Sequence, residues 1–404
     1  MTINSILRLG TANNYTSSVA NINARQVALS SLQESLTSGL KSAHPADDPI
    51  GAAQAERAIT RIARIQSDQK ALGLQTDAIT SAESTLGTAV SALQSFRQLV
   101  VSAANATMSV SDRQTVAQKL TSLRDQVFSL SNTTDANGKP LFGALGSALA
   151  PFVQQSATPA TYTFTGVAGQ GASSSVSIPA ALDGDKAFMF KPTRDASFNV
   201  SYSSNAGLSS TGAITLQPPP AAAVTGRDYQ LQFSVAAGMT QYTVTQLSTP
   251  PVVWAPANFT SGTPINFDGL SLTVTGAPQA GDSLNIQANT SLFGVMDKAI
   301  TDIGSASTSL VARQAVGQAL ANIDIGIDRL QAARGLAGDL MNRSATINAA
   351  QTAGATQAES DRSSAQDVNM VQAISDFQNQ QTGFSAALQS YAQIHKLSLF
   401  NYLG

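Results

Sequence analysis

The stretch IQSDQKALGLQTDAITSAESTLGTAVSALQSFRQLV, residues 65–100, repeats an apolar residue every seven positions. The repeating positions are Ile65, Leu72, Ile79, Leu86, Leu93 and Val100, and Ala82, Ala89 and Phe96 each follow one of them by three residues. This spacing places the apolar side chains on one stripe of an α-helix, which is the pattern of a coiled-coil seam. We therefore predict a long helix, from about residue 49 to residue 108, that pairs with other helices.

The C-terminal third has a matching pattern. Its apolar residues follow steps of three and four, with Arg334 as the one polar member: Val316, Leu320, Ile323, Ile327, Leu330, Ala337 and Met341. Residues 116–130 show the same spacing. Two amphipathic helices from each flank can pair antiparallel and bring the two ends of the chain together.

Proline separates these flanks from the middle of the chain. Of the 15 prolines, 12 lie between Pro151 and Pro278, and none follows. Because proline interrupts helix interiors, the flanks are free to form long helices and the middle is not. The middle alternates apolar and polar residues in short runs, as in YQLQFSV (229–235) and QYTVTQL (241–247), which predict a β-hairpin. The runs SLTVTG and GDSLNIQ predict two further strands around a turn, and TYTFTGV and ASFNVSY predict separate strands.

The two ends of the chain carry apolar stripes of their own. The N-terminal stripe contains Ile22, Leu29 and Leu36, and Gly39 suits the end of that helix. The C-terminal stripe contains Ile374, Phe377, Phe384, Leu388 and Tyr391. We expect the two stripes to pack on each other and to leave apolar surface for copies of the same chain.

The sequence HPADDPIGAAQA, residues 44–55, joins the first helix to the second. Asp48 followed by Pro49 is typical of a helix start, with Asp48 as the N-cap and Pro49 at the first helical position. Asp47 and Asp48 supply too few oxygen ligands for a calcium or magnesium site, so capping is the preferred interpretation.

Composition excludes several function classes. The formal net charge of −2 argues against a nucleic-acid surface, and the absence of cysteine excludes disulfide and thiol chemistry. The two histidines are far apart in sequence, so no zinc motif is formed. No nucleophile or phosphate-binding motif is present, no cofactor is expected, and no run of apolar residues predicts membrane insertion. The chain is therefore not expected to be an enzyme.

LTSGLKSAHPADDPIGAAQA (residues 36–55) contains a Pro-x-Asp-Asp-Pro core. This stretch is similar to the N-terminal signature of the flagellin superfamily of bacterial axial proteins, and within it of the hook-associated proteins of the hook–filament junction. NTTDANGKPLFG (132–143) is similar to its Asn-Gly-x-x-Leu-Phe exit from the helix pair. GAPQAGDSLNI and SYAQIHKLSLFNYL resemble its last inserted hairpin and its closing helix.

The resemblance implies secretion through the flagellar type III export apparatus, after capture of the C-terminal region by a small helical chaperone. It implies an extracellular ring of copies in the bacterial flagellum, between the first hook-associated protein and the flagellin filament. Two alternatives stay open. A flagellin filament subunit is disfavoured by the Pro-x-Asp-Asp-Pro core, and a surface adhesin with a helical stalk would need a sugar-binding platform, for which Trp254, Tyr229, Tyr242 and Phe233 are candidates.

The predicted fold class is α+β, a long antiparallel α-helical coiled-coil bundle from both termini with inserted β-rich domains. We expect six segments. They are an inner-core helix at 1–43, the N-terminal half of the bundle at 44–145, β modules at 146–210 and 211–291, the C-terminal half of the bundle at 292–364, and an inner-core helix at 365–404.

Overall fold

The computed structural model describes residues 3–42, 44–157, 160–169, 174–204, 208–216 and 227–403. Compact packing divides the chain into two units, the terminal unit (residues 1–69 and 349–404) and the central unit (residues 70–348). Each unit is described by itself.

Six helices in the described ranges exceed ten residues. They are α1 (Ile3–Ser38), α2 (Pro49–Ser102), α3 (Val110–Ser131), α6 (Leu292–Gly304), α7 (Ser309–Gln366) and α8 (Met370–Leu403), with α4 (Gly184–Phe188) and α5 (Pro192–Asp195) as short helices in the middle. The predicted coiled-coil helices are therefore present. In the central unit α2 and α7 run antiparallel, since Arg334 Nε donates to Glu83 Oε1 at 2.9 Å and Arg97 Nε donates to Asp324 Oδ1 at 2.7 Å.

The predicted seam is the core of the central unit. Leu72, Ile79, Leu86, Leu93 and Val100 are all buried, as are the alanines between them. Arg334, the polar member of the α7 stripe, lies over Gly87, where a Cβ atom would be 3.6 Å from the guanidinium group, an ordinary van der Waals contact.

A capping box starts α3. The Ser109 hydroxyl accepts a hydrogen bond from Asp112 N, and the Asp112 carboxylate accepts from Ser109 N at 3.1 Å. Because hydrogen bonds from Ser109 favour the ionised carboxylate, the pKa of Asp112 lies below its ordinary value.

The first β-hairpin belongs to the helical core. Its strands β1 (Phe152–Ala157) and β2 (Ala160–Phe164) pair antiparallel. Phe152 and Tyr162 pack with Phe293 of α6, with ring centroids 5.7 and 5.2 Å apart. The hairpin thus closes the end of the helical bundle with aromatic side chains.

The remaining strands form a sheet domain with a separate core. The strands are β3 (Phe198–Ser204), β4 (Leu208–Leu216), β5 (Tyr229–Ala236), β6 (Met239–Gln246), β7 (Val252–Val253), β8 (Ala257–Asn258), β9 (Pro264–Phe267), β10 (Leu270–Gly276) and β11 (Ser283–Ala288). One antiparallel sheet has the order β3-β11-β5-β6-β7, with β8 also on β6, and a second has the order β4-β10-β9. Both sheets contribute to one hydrophobic cluster, as in a sandwich.

The β5–β6 hairpin is as predicted. Its turn is Ala237-Gly238, and both residues have positive φ, 50° and 77°. Positive φ at both turn positions is the geometry that fits two-residue hairpins, and glycine adopts it without strain.

The predicted strands in the middle are present, but their pairing and one boundary differ from the sequence expectation. The runs SLTVTG and GDSLNIQ are consecutive strands, β10 and β11, but they lie in different sheets, because each faces the shared core from an opposite side. The expected boundary between residues 210 and 211 falls inside one domain, since β3 pairs with β11 and β4 pairs with β10. The proline-rich run at 217–221 lies outside the described residues.

Candidate assembly surface

Helices α1 and α8 pack on each other in the terminal unit. Arg25 of α1 lies against Gly383 of α8, and its Nη1 donates to Gln380 Oε1 at 3.3 Å. Near the other end of the pair, Leu40 forms an antiparallel bridge with Asp367. The two helices are therefore antiparallel, as expected for two stripes that face each other.

The structure brings most of the predicted stripe residues to this interface but encloses none of them. Six of the eight are half-buried: Ile22, Leu29, Leu36, Phe377, Phe384 and Tyr391. The other two, Ile374 and Leu388, are 46% and 43% exposed. A two-helix contact therefore leaves every one of these side chains in partial contact with water.

Sequence reasoning missed part of the exposed apolar surface. Val27 is 69% exposed and Val371 is 81% exposed, and neither is among the residues expected to form the stripes. Val27 lies two residues before Leu29 and therefore on another face of α1, whereas Val371 lies three residues before Ile374 and extends the C-terminal stripe.

The described part of the terminal unit has a weak core. Its buried apolar residues are alanines, namely Ala55, Ala58, Ala358 and Ala373. The central unit, by contrast, buries leucine, isoleucine and phenylalanine side chains completely. Because the hydrophobic contribution scales with the apolar area removed from water, the terminal unit gains far less stability from its own packing.

Backbone hydrogen bonds join the segment between α1 and α2 to the segment between α7 and α8. We call these two segments, residues 39–41 and 366–368, the clamp. Lys41 N donates to Gln366 O at 2.8 Å, and Val368 N donates to Gly39 O at 2.9 Å. Lys41 Nζ adds a hydrogen bond to Ser364 O at 2.6 Å. Gly39 has a φ of 74°, so glycine is the residue that ends α1 and turns the chain into the clamp without strain.

The start of α2 lies next to this clamp. Asp48 Oδ1 accepts a hydrogen bond from Gly51 N at 2.8 Å, and Pro49 is the first helical residue. A side chain at Gly51 would collide with the Asp48 carboxylate and approach Ala365 O to 3.1 Å, so the close approach of α2 to the end of α7 depends on glycine. In the parts of the chain that the structure describes, no group of His, Asp or Glu is placed to hold a metal ion. No described helix could span a bilayer by its length and hydropathy.

The N-terminal helical flank of the chain is similar to known proteins. Residues 10–145 match the bacterial flagellin N-terminal helical region. The chain is 33% identical over 150 residues to flagellar hook-associated protein 3 of Salmonella typhimurium and 32% identical over 151 residues to that of Escherichia coli. Each match covers 37% of this chain and 47% of the relative, so the chain spans about half the length of the curated relatives it matches.

The chain is similar to flagellar hook-associated protein 3. The resemblance expected from the Pro-x-Asp-Asp-Pro and Asn-Gly-x-x-Leu-Phe motifs is thereby confirmed. Residues 200–288 match a different relative, the D2-like domain of flagellar hook-associated protein 1. That match coincides with the two-sheet domain, from β3 to β11.

Solved structures show the same fold. The flagellar junction protein FlgL from Legionella pneumophila aligns with a TM-score of 0.61 at 24% identity, over 72% of this chain and 99% of that chain. FlgL from Xanthomonas campestris aligns with a TM-score of 0.59 at 22% identity, over 76% and 99% of the two chains. The predicted α+β architecture, with terminal helices and an inserted sheet domain, is confirmed.

Proposed function

We propose that this chain is a structural component of the bacterial flagellum that joins hook and filament and self-associates through α1 and α8. One observation carries the proposal: the described part of the terminal unit buries only alanine among its apolar side chains, while its long apolar stripes stay half-buried. Such a surface is stabilised when further helices cover it, and copies of the same chain supply helices with matching stripes.

The proposed partners follow from the relatives. Similar proteins are named flagellar hook-associated protein 3 and flagellar junction protein, and these names support a place next to the hook and at a junction of the flagellum. The proposed junction has the hook on one side and the filament on the other. We assign the first hook-associated protein and flagellin to these two sides, and a flagellar export chaperone to the C-terminal helix before secretion. The role is structural and extracellular rather than catalytic.

A second candidate is a flagellin filament subunit, which the match to the flagellin N-terminal helical region favours. The adhesin alternative is disfavoured, because two residues of its candidate sugar-binding platform, Tyr229 and Phe233, are buried in the sheet core. The other two, Tyr242 and Trp254, pack against that core.

Electron microscopy of a deletion strain complemented with an epitope-tagged chain tests these assignments. The junction role predicts hooks without stable filaments in the deletion strain, and label confined to the end of the hook after complementation. Label along the whole filament would instead identify a flagellin, and normal filaments in the deletion strain would refute both roles.

Self-association has its own test. Sedimentation should show concentration-dependent assembly that is reduced by the double variant Val371→Asp and Ile374→Asp. The exposed polar residue Asn379, which lies on a different face of the same helix from Ile374, provides the control, Asn379→Asp. Equal assembly by both variants would place the contact elsewhere.

A further inference from the structure

Four polar side chains, three of them buried, form a closed ring of hydrogen bonds where the sheet domain joins the helical bundle. Ser197 Oγ donates to Asn322 Oδ1 at 2.9 Å, and Asn322 Nδ2 donates to Asn199 Oδ1 at 3.1 Å. Asn199 Nδ2 donates to Asn289 Oδ1 at 2.5 Å, and Asn289 Nδ2 donates to Ser197 Oγ at 2.8 Å, which closes the ring. Each of the four side chains therefore donates one bond and accepts one bond within the ring.

The ring joins three separate parts of the chain. Ser197 and Asn199 lie at the start of β3, where the chain enters the sheet domain, and Asn289 follows β11, where the chain leaves it. Asn322 belongs to α7 and is only 3% exposed. The entering and leaving strands are thus fastened to each other and to one point on a bundle helix.

Further hydrogen bonds attach the same strand to the same helix. Asn322 Nδ2 also donates to Phe198 O at 3.0 Å, and Gln318 Nε2 donates to that carbonyl at 2.8 Å. Shortly before β3, the buried carboxylate of Asp195 pairs with Arg194 at 2.8 Å and with Arg329 of α7. Gln318, Asn322 and Arg329 are spaced by four and seven residues, so they share one face of α7.

We propose that this ring is an orientation lock, which holds the sheet domain at a fixed angle to α7 so that the domain moves with the helix. Buried polar groups are favourable only when their partners are in place, and swinging the domain would break several of these bonds at once inside a water-poor site. A neutral apolar contact would lack this angular preference, because hydrophobic contacts are not directional.

The lock can be tested by distance measurements between spin labels, which the cysteine-free chain permits without background labelling. One label is introduced by Asp328→Cys on α7 and the other by Ser234→Cys in β5, both exposed positions. The full-length chain should give one narrow distance distribution. In the Asn322→Leu background, which keeps the branching and number of side-chain heavy atoms and removes the hydrogen bonds, the distribution should become at least about twofold wider.

Two controls keep the result interpretable. Ser344→Ala removes another buried hydrogen bond on α7, to Thr76, and should leave the distribution unchanged. A label pair within the bundle, from Asp328→Cys and Ser95→Cys, should keep its width in Asn322→Leu and so show that the bundle is folded. If that variant disrupts the bundle pair, the milder Ser197→Ala replaces it. A broad distribution in the unsubstituted chain, or an unchanged width when the ring is broken and the bundle is intact, would overturn the proposal.

Discussion

At the scale of single residues, the motif NTTDANGKPLFG forms one loop and places one phenylalanine in the core. Asp135 Oδ1 accepts hydrogen bonds from Asn137 N and Lys139 N, both at 2.8 Å, and Gly138 has a φ of 76°. The loop then delivers Phe142 into the aromatic core, where its ring lies 5.4 Å from that of Phe188. The motif thus forms a turn that places Phe142 in the core.

The Asp135 loop should make stability depend on pH. Hydrogen bonds from the Lys139 and Asn137 backbone hold the pKa of Asp135 below its ordinary value. Because the folded-state pKa is the lower one, the stabilisation is complete above the unfolded pKa of about 3.9 and is lost as pH falls through the folded value. Urea unfolding should show Asp135→Asn less stable than the unsubstituted chain at pH 7 and nearly equal to it at pH 2.

Ser234→Ala, at an exposed site with no titratable group, is the control for that comparison, and its difference in stability from the unsubstituted chain should be the same at pH 7 and pH 2. A constant difference between pH 7 and pH 2 for Asp135→Asn would mean that the carboxylate charge contributes nothing to the loop.

Phe142 should be among the most costly core positions to truncate. It is completely buried, and its neighbours Phe152 and Phe188 are themselves fixed in the core. Phe142→Ala should lower the free energy of unfolding by about 3–5 kcal/mol through lost burial and the cavity left behind. Leu149→Ala, at a residue that is 78% exposed, should change it by less than about 0.5 kcal/mol. Similar losses in both variants would argue against the assigned core.

At the scale of elements, the two antiparallel pairs differ in what they enclose. The α2–α7 pair of the central unit buries a continuous seam, whereas the α1–α8 pair leaves its stripes half-exposed. Local opening is easiest where few apolar contacts are lost, so the elements should differ in their dynamics.

Hydrogen exchange on the isolated chain should reveal that difference. We expect weak protection of amides in residues 16–38 and 370–393, and strong protection in residues 72–100. Comparable protection in the two regions would show that the α1–α8 pair is stable by itself. Strengthened protection of α1 and α8 after assembly would support their burial by other copies.

The C-terminal helix is also the element we assign to the export chaperone. Phe384 is half-buried on α8, and placing a carboxylate there opposes any apolar contact with a partner. Phe384→Asp should weaken chaperone binding by roughly 10- to 100-fold, which corresponds to the burial of one aromatic side chain. Titration calorimetry measures the change, with Gln378→Asp as the matched variant, and unchanged affinity would move the binding site off this stripe.

At the scale of the whole molecule, the division between bundle and insertion lies further along the chain than the expected boundary between residues 145 and 146. The β1–β2 hairpin and Phe188 belong to the helical core, while β3 to β11 form the separate sandwich. Phe198 and Ala288 are paired at the base of the sandwich, so the chain enters and leaves the sheet domain side by side.

Removing only the sandwich should therefore leave a folded bundle. Replacing residues 200–286 with a short Gly/Ser turn should preserve helical circular dichroism and the cooperative unfolding of the bundle. Removing residues 150–285 instead should abolish cooperative unfolding, because it also deletes Phe152, Tyr162 and Phe188 from the core. If both deletions fold equally well, the hairpin contributes little to the bundle.

The sequence predicts the helices better than the sheets for a physical reason. A seven-residue repeat such as Leu72 to Leu93 depends on neighbours along one helix, and local spacing is enough to recognise it. The pairing of β3 with β11 joins residues more than 80 positions apart along most of its length, and no local pattern encodes that choice. The Asn322 ring is hidden for the same reason, since its four members come from three distant segments.

The candidate surface was predictable only in part. The spacing of Phe377, Phe384 and Tyr391 marks a helix face, but spacing does not reveal that the face remains half-exposed after pairing. Val371 lies three residues before Ile374, but that spacing does not reveal that its side chain is 81% exposed.

The clamp at residues 39–41 and 366–368 also has a mechanical consequence. Both connections to the α1–α8 pair run side by side and are hydrogen-bonded to each other. A pulling force on the pair is therefore divided between two covalent connections. A break in either connection leaves the pair tethered by the other, so a single cut does not release the pair from the rest of its unit.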